Sequence, residues 1–219
     1  MRFPKFALSL AMLTVVLPIS SRADDSPPKQ DVKKVEPKAA DSDAPLPEGF
    51  PDATKPGVVE IKTYPAYRSA VAKVEKATTN SGNMMFFPLF NHIQKNDIAM
   101  TSPVINTFKT PKMVETPGAK GEVTMEFLYR STKQGKTGRD NAMIEVVDHP
   151  EQKFVCLGFQ GDMSDVDMRD GVGTLTKWLE EHKTEWLEDG PPRRLGYHGP
   201  MTPVAQRLWE VQVPVKAAK

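Results

Sequence analysis

Ile98-Ala99-Met100-Thr101-Ser102-Pro103-Val104 decides how this chain is read, because Pro200-Met201-Thr202-Pro203-Val204 repeats its core. Each copy follows a segment with helical spacing and precedes a strand of alternating apolar residues. Working outward from the first copy, Phe86, Leu89, Phe90 and Ile93 fall at i, i+3, i+4 and i+7, one helical stripe. Pro88 lacks a backbone N–H and clashes one turn back, which puts the helix start near Phe86 with Pro88 in its first turn. Asn96-Asp97 ends it. Ahead of this helix, Val58–Tyr64 and Tyr67–Val74 alternate as strands separated by Pro65. Behind it, the strand Ile98–Phe108 pairs with Glu122–Arg130, and Ala142–Val147 makes a further strand.

Outward from the second copy the pattern restarts. Phe154–Phe159 reads as a strand and Ser164 as a helix cap. Met168, Val172, Leu175, Leu179, His182 and Trp186 then form a continuous seam. Gly171 and Gly173 each weaken this helix by about 1 kcal/mol relative to Ala, and Gly190-Pro191-Pro192 stops it. Arg194–His198 and Trp209–Val215 complete a strand pair on either side of the repeated phrase. Each half is therefore strand, helix, strand pair. Two such pseudo-symmetric halves predict an α+β domain, one curved and mainly antiparallel sheet carrying two helices. The two copies are expected to mark equivalent strand starts.

The N-terminal region has a different composition. Arg2 and Lys5 precede an apolar run from Phe6 to Ile19, and Ser21-Arg22-Ala23 offers a cleavage site, so residues 1–23 read as a signal peptide. The run is short for a spanning helix and Pro18 interrupts it, so no membrane span is expected after cleavage. Residues 24–56 hold seven prolines and many charges and read as a disordered linker. The domain is then 57–219. Without Arg2, Lys5 and Arg22 the balance is 26 basic to 28 acidic residues, a net of −2. That argues against a binder of nucleic acid. Cys156 is the only cysteine, so no internal disulfide forms. The expected location is outside the cytoplasm, periplasmic or extracellular.

Five pieces in order carry a family resemblance: Val59-Glu60 with Tyr64 and Tyr67; Phe86, Leu89-Phe90 and His92-Ile93-Gln94; the phrase 98–104; Phe154–Gly161; and Tyr197–Pro203 followed by Glu210–Val215. Together they resemble the SOUL haem-binding family over nearly the whole domain. The resemblance implies a distorted antiparallel barrel with two helices. It also implies haem or a related tetrapyrrole in an apolar surface pocket beside the first helix. The chain departs from the family pattern in its short Lys95-Asn96-Asp97 loop and at His92, His198 and Met201.

A haem site needs an apolar slot, cations for the propionates and, optionally, an axial ligand. Met84, Met85 and Phe87 fall off the core stripe and are the slot candidates. His92 reads either as a solvent-edge histidine or as an iron ligand, and His198, in a Gly/Pro-rich turn, is the second candidate ligand. Lys95 and Arg194, with Arg193, are candidate propionate partners; Tyr197 and Met201 complete the turn that would border the ligand. No zinc spacing, phosphate loop or nucleophile elbow is present, so no catalytic residues are expected and the protein is not expected to be an enzyme. Two functions follow: an exported haem-binding protein for capture, buffering or delivery, or a module that binds a protein partner or another hydrophobic ligand without haem.

Overall fold

The computed structural model describes residues 42–79, 83–110 and 112–219; the expected signal peptide, and the linker as far as residue 41, lie outside these. The strands are β1 (Val59–Tyr64), β2 (Tyr67–Ala77), β3 (Val104–Phe108), β4 (Gly121–Leu128), β5 (Gly138–Arg139), β6 (Ile144–His149), β7 (Gln152–Gln160), β8 (Trp186–Glu188), β9 (Arg193–Gly196) and β10 (Leu208–Ala217). The helices are α1 (Asn83–Lys95), a single turn α2 (Lys112–Glu115) and α3 (Asp165–Glu181).

All the strands join one antiparallel sheet in the order β1-β7-β10-β9-β3-β4-β2-β6-β5, with β8 on β10. The path is open, ending at β1 and β5. Its centre is the β3–β9 pair, and the order is palindromic about it: β9, β10, β7, β1 on one side answer β3, β4, β2, β6 on the other. Each half has its helix between its first strand and its strand pair, α1 after β2 and α3 after β7. The two-half reading therefore holds, as an antiparallel α+β sheet. The repeated phrase is not its marker. The first copy precedes β3, a central strand, whereas the second lies between β9 and β10 and enters β10 through a 3-10 turn at Val204–Gln206. The strand after the first copy is also shorter than expected, since residues 98–103 are not part of the ladder.

Both helices pack on one face of the sheet. Met85, Leu89 and Ile93 of α1 share a core with Met168, Leu175 and Leu179 of α3, together with Phe108, Phe127, Trp209, Val211 and Val213 from the strands. The buried stripe 85, 89, 93 keeps the expected Leu89 and Ile93 but takes Met85 in place of Phe90, with Phe86 only partly buried against it. Phe90 is exposed and Met85 fully buried. Both flanks of α1 are apolar, so period alone did not distinguish them. The helix also begins earlier than expected, at Asn83, which leaves Pro88 inside it. The bond it forgoes is to the first-turn carbonyl of Met84.

Helix ends follow local chemistry. Asp97 adopts φ 53°, the Ile98 N–H bonds the Ile93 carbonyl at 2.9 Å and the Asp97 N–H bonds that of Gln94 at 3.3 Å. This is a Schellman cap, with buried Ile98 supplying its apolar contact. Ser164 caps α3 by accepting the Asp167 N–H at 3.1 Å. The α3 seam is shorter than its sequence pattern: the helix closes at His182, and Trp186 belongs to β8. Gly171 has a packing reason, since a Cβ there would lie 2.8 Å from Val211 Cγ2, whereas Gly173 faces open space.

Residues 42–56 correct the linker expectation. They lie across the face of the sheet opposite the helices. Phe50 is buried edge-on against Tyr64 and Tyr67, with ring centroids 5.1 and 5.3 Å away. Such pairs each add about 0.5–1.5 kcal/mol beyond area burial. The Gly158 backbone exchanges bonds with Gly57 and Val58, and a Cβ at Gly158 would collide with the Thr54 and Lys55 carbonyls. Proline-rich composition marked this stretch as unable to form a core of its own. It orders by borrowing one.

Beneath this strap is a buried polar network. Glu210, fully buried, accepts from the Thr54 N–H at 2.5 Å, from Lys62 Nζ at 2.8 Å and from the Tyr197 hydroxyl at 3.0 Å. Arg193 donates Nε–H to Gln212 at 2.8 Å and lies 3.5 Å over the Phe154 ring. Burial raises the pKa values of the Tyr64 and Tyr197 hydroxyls well above normal, so both stay protonated as donors.

Candidate functional site

On the helix face, the β3–β9 pair is not covered by either helix. A cavity of about 820 Å³ opens there. Its floor is made by Val104 and Asn106 of β3, Arg194 and Gly196 of β9, and Trp209 of β10. The register explains the grouping. Val104 pairs with Gly196, Asn106 with Arg194, and Trp209 with Gly196, so these side chains share one face of adjacent strands. Phe86 of α1 borders it in one half, and Met163 and Asp162, just before α3, border it in the other. Met100 and Ser102 come from the first phrase, and Tyr197 through Pro200 lead into the second. The cavity thus lies on the pseudo-two-fold centre, and both copies of the phrase frame it.

The cavity has an apolar wall and charged edges of both signs. Phe86, Met100, Val104, Met125, Met163 and Trp209 provide flat and deformable apolar surface. The Trp209 indole is fixed by stacking on Phe159, 4.2 Å between centroids. Arg207 is held by the Thr202 carbonyl at 2.8 Å and the Pro200 carbonyl at 2.9 Å. Asp43, from the strap, reaches the rim and accepts the Gly199 N–H at 2.5 Å and the Thr202 hydroxyl at 2.7 Å. These bonds, Gly199 first, hold its carboxyl below the usual value.

Of the residues expected from sequence, the cavity brings together Arg194, Tyr197 and His198. Arg194 is 8% exposed. Burial lowers its pKa, with Asp165 and Asp162 acting the other way. Tyr197 borders the cavity, but its ring belongs to the opposite face. His198 Nδ1 accepts the Leu208 N–H at 3.0 Å. The neutral ring therefore carries its proton on Nε2, the tautomer without an Nε2 lone pair for a metal.

The other candidates lie elsewhere. Met85 is core. Met84 and Phe87 stand exposed on the outer side of α1, at 64% and 68%, and Met201 is 93% exposed beside the rim. Lys95 is exposed at the end of α1. His92 is neither solvent-edge nor free for iron. It is buried, its Nδ1–H donates to Asp140 Oδ2 at 3.0 Å, and its Nε2 accepts from the Tyr129 hydroxyl at 2.9 Å. Asp140 can only accept, which fixes the ring's donor. The His92 bond holds Asp140 below the usual carboxylate value, and burial pushes the Tyr129 hydroxyl up to about 12.

Sequence reading missed Asn106, Met100, Met163 and Trp209 as cavity residues. Asn106 left a signal: a polar side chain at an inward position of an apolar strand. Cys156 is buried, and burial followed by Glu210 raises its pKa, so the thiol is unreactive. Among the described residues, no group of three or more His, Cys, Asp or Glu is placed to hold a metal ion, and no helix is long and apolar enough to cross a membrane.

Comparison with known proteins agrees with this architecture. The C-terminal domain of EcmrR superposes with a TM-score of 0.60 at 16% identity, covering 74% of this chain and 98% of that one. A hydrolase from Listeria innocua superposes at 0.53 with 10% identity, covering 74% and 94%. At these identities the likeness shows the fold alone. No curated relative matches the chain. The family model described as SOUL heme-binding protein matches residues 52–214, from the strap through β10, and on that match the chain belongs to the SOUL heme-binding protein family.

Proposed function

We propose that this protein binds haem or a related tetrapyrrole in the cavity over the β3–β9 pair, for capture, buffering or delivery outside the cytoplasm. The observation that carries the reading is the cavity itself. It is open, central and walled by Phe86, Met100, Met163 and Trp209, with Arg194 at its floor, in a chain of a haem-binding family. A volume of about 820 Å³ is in the range of sites that enclose most of a drug-sized ligand. A planar ring fits between apolar walls, and carboxylates need the cations. Export is supported by the composition of residues 1–23.

His92 and His198 do not present an iron ligand in their present hydrogen bonds. The fit therefore rests on ring and carboxylates. When bound, haem would bring its own redox chemistry; the residues here hold the ring and exclude water from one face. The test is an absorption titration of the purified protein with haem. A saturable Soret change supports the reading, and uptake no greater than by an unrelated apolar protein overturns it.

A second reading has its own observation. Met84, Phe87 and Phe90 are exposed together along α1, beside Phe86 at the cavity. Exposed apolar surface of this kind marks contact sites, so a protein partner docking on α1 is the alternative. Recovery of one stoichiometric partner by the haem-free protein, lost on Phe87→Ser, would favour it.

A further inference from the structure

We propose that the cavity floor is a carboxylate receptor, built by Arg194, Asn106 and Trp209, which takes an acid group of the ligand inward rather than leaving it at the rim. The inference rests on the tetrapyrrole reading above and deepens it.

Three side chains of the cavity lining carry a buried N–H without a partner: Arg194 Nε, Asn106 Nδ2 and Trp209 Nε1. They are 8%, 7% and 1% exposed. Buried donors in folded proteins are normally satisfied, and each orphan costs stability. Three orphans on the floor of one cavity are therefore a feature that needs a partner. All three are donors, which narrows the chemistry. The missing group accepts several hydrogen bonds and is favoured by a guanidinium, as a carboxylate is.

The register places them together. Asn106 and Arg194 are directly paired across β3 and β9, with side chains on the same face. Trp209 faces Gly196, two residues along β9 from Arg194, which makes it the diagonal neighbour of Arg194 on that face, one strand further from Asn106. The Met163 thioether packs over Gly196, where a Cβ would be 3.3 Å from Met163 Cε, so any larger residue there would push Met163 toward the cavity. Arg194 is otherwise loosely held: its Nη1 reaches the Met163 carbonyl at 3.4 Å, and its guanidinium lies 5.7 Å from the Phe108 ring. The acids acting on it, Asp165 and Asp162, come from the start of α3. A carboxylate on the floor would be held by Arg194 and its directly paired neighbour Asn106, with Trp209 Nε1 as the adjoining donor, leaving the ligand's apolar body against Phe86, Met100 and Met163.

The experiment compares protoporphyrin with its dimethyl ester, both titrated into the purified full chain by fluorescence quenching. The ring is the same; only the acid groups differ. Protoporphyrin should bind at least about tenfold tighter than the ester, the scale of a buried charge-assisted bond. Arg194→Gln should erase that preference by weakening the acid about tenfold and leaving the ester within about twofold. Asn106→Asp, which adds a like charge without changing volume, should weaken the acid and spare the ester. Equal binding of acid and ester by the unaltered protein would overturn the receptor while leaving the tetrapyrrole reading intact. Equal weakening of both ligands in both variants would also overturn it. Binding of neither ligand would sink the tetrapyrrole reading, and the receptor with it.

Discussion

Arg193 and Arg194 are consecutive residues of β9 whose guanidinium groups serve opposite faces of the sheet. Arg193 is spent on structure, bonded to Gln212 and Tyr67 and stacked on Phe154. Arg194 lines the cavity with its Nε–H unpaired. Strand alternation makes this division unavoidable. It also makes the pair a test of role. Arg193→Met should destabilise the fold by about 3 kcal/mol, because it strips partners from a buried network. Arg194→Met should leave stability within about 1 kcal/mol of the parent, since little is bonded to it. Urea midpoints of the two variants check both statements.

Lys62 and Glu210 form a buried ion pair at 2.8 Å, 7% and 0% exposed. Lys62→Met should cost about 3–5 kcal/mol by stranding the Glu210 charge. Adding Glu210→Gln should recover part of that loss, because the stranded charge is removed. A double-mutant cycle in urea measures the coupling, and additive losses would show that the pair does not act as one.

Gly171 and Gly173 should respond to alanine with opposite signs. Gly171→Ala gains helix propensity but overpacks Val211 at 2.8 Å, for a net loss of about 1–2 kcal/mol. Gly173→Ala meets nothing and should gain about 0.5–1 kcal/mol. Thermal melts of the two variants decide it.

His149 stacks on Tyr67 with centroids 4.4 Å apart and lies 3.3 Å from Glu126. Burial lowers its pKa below 6.5, and Glu126 opposes that only in part. The folded state therefore resists protonation of this ring. The stability from its neutral form is intact above the unfolded-state pKa and is lost as the pH falls through the lower folded one. Unfolding midpoints should decline on acidification from about pH 7 to pH 5, and His149→Gln should flatten that part of the decline.

The strap makes a fifth place to intervene. Phe50→Ala should cost about 3 kcal/mol, the range for a buried aromatic. A chain begun at residue 57, where the composition shift suggested the domain starts, should be less stable than one begun at residue 42. Equal melting temperatures would mean the strap adds nothing.

Much of the fold was legible because it is written in periodicity. The α3 seam, the Ser164 cap and the strand–helix–strand-pair halves all follow from spacing. The strap was not legible, because Leu46, Phe50 and Thr54 make sense only against a surface supplied by Tyr64, Tyr67 and Glu210. The site was half legible. Arg194 and the Tyr197–His198 turn stood out as charge and turn chemistry. Met84, Phe87 and His92 stood out equally, and a helix with two apolar flanks does not reveal which one faces the sheet. Asn106 and Trp209 became visible only when the register set them beside Arg194 on one face.

Asp43 is tied to Gly199 and Thr202 at the cavity rim, which sets Ser42 beside the opening. The other end of the described chain runs away from it. Ala217 is eight residues beyond Trp209 on β10, about 25 Å along the strand. The two ends of the described residues are thus unequal as handles. A dye or solid support attached near Ser42 would crowd incoming ligand and report on it at short range, whereas attachment through Lys219 leaves the opening clear for a binding measurement.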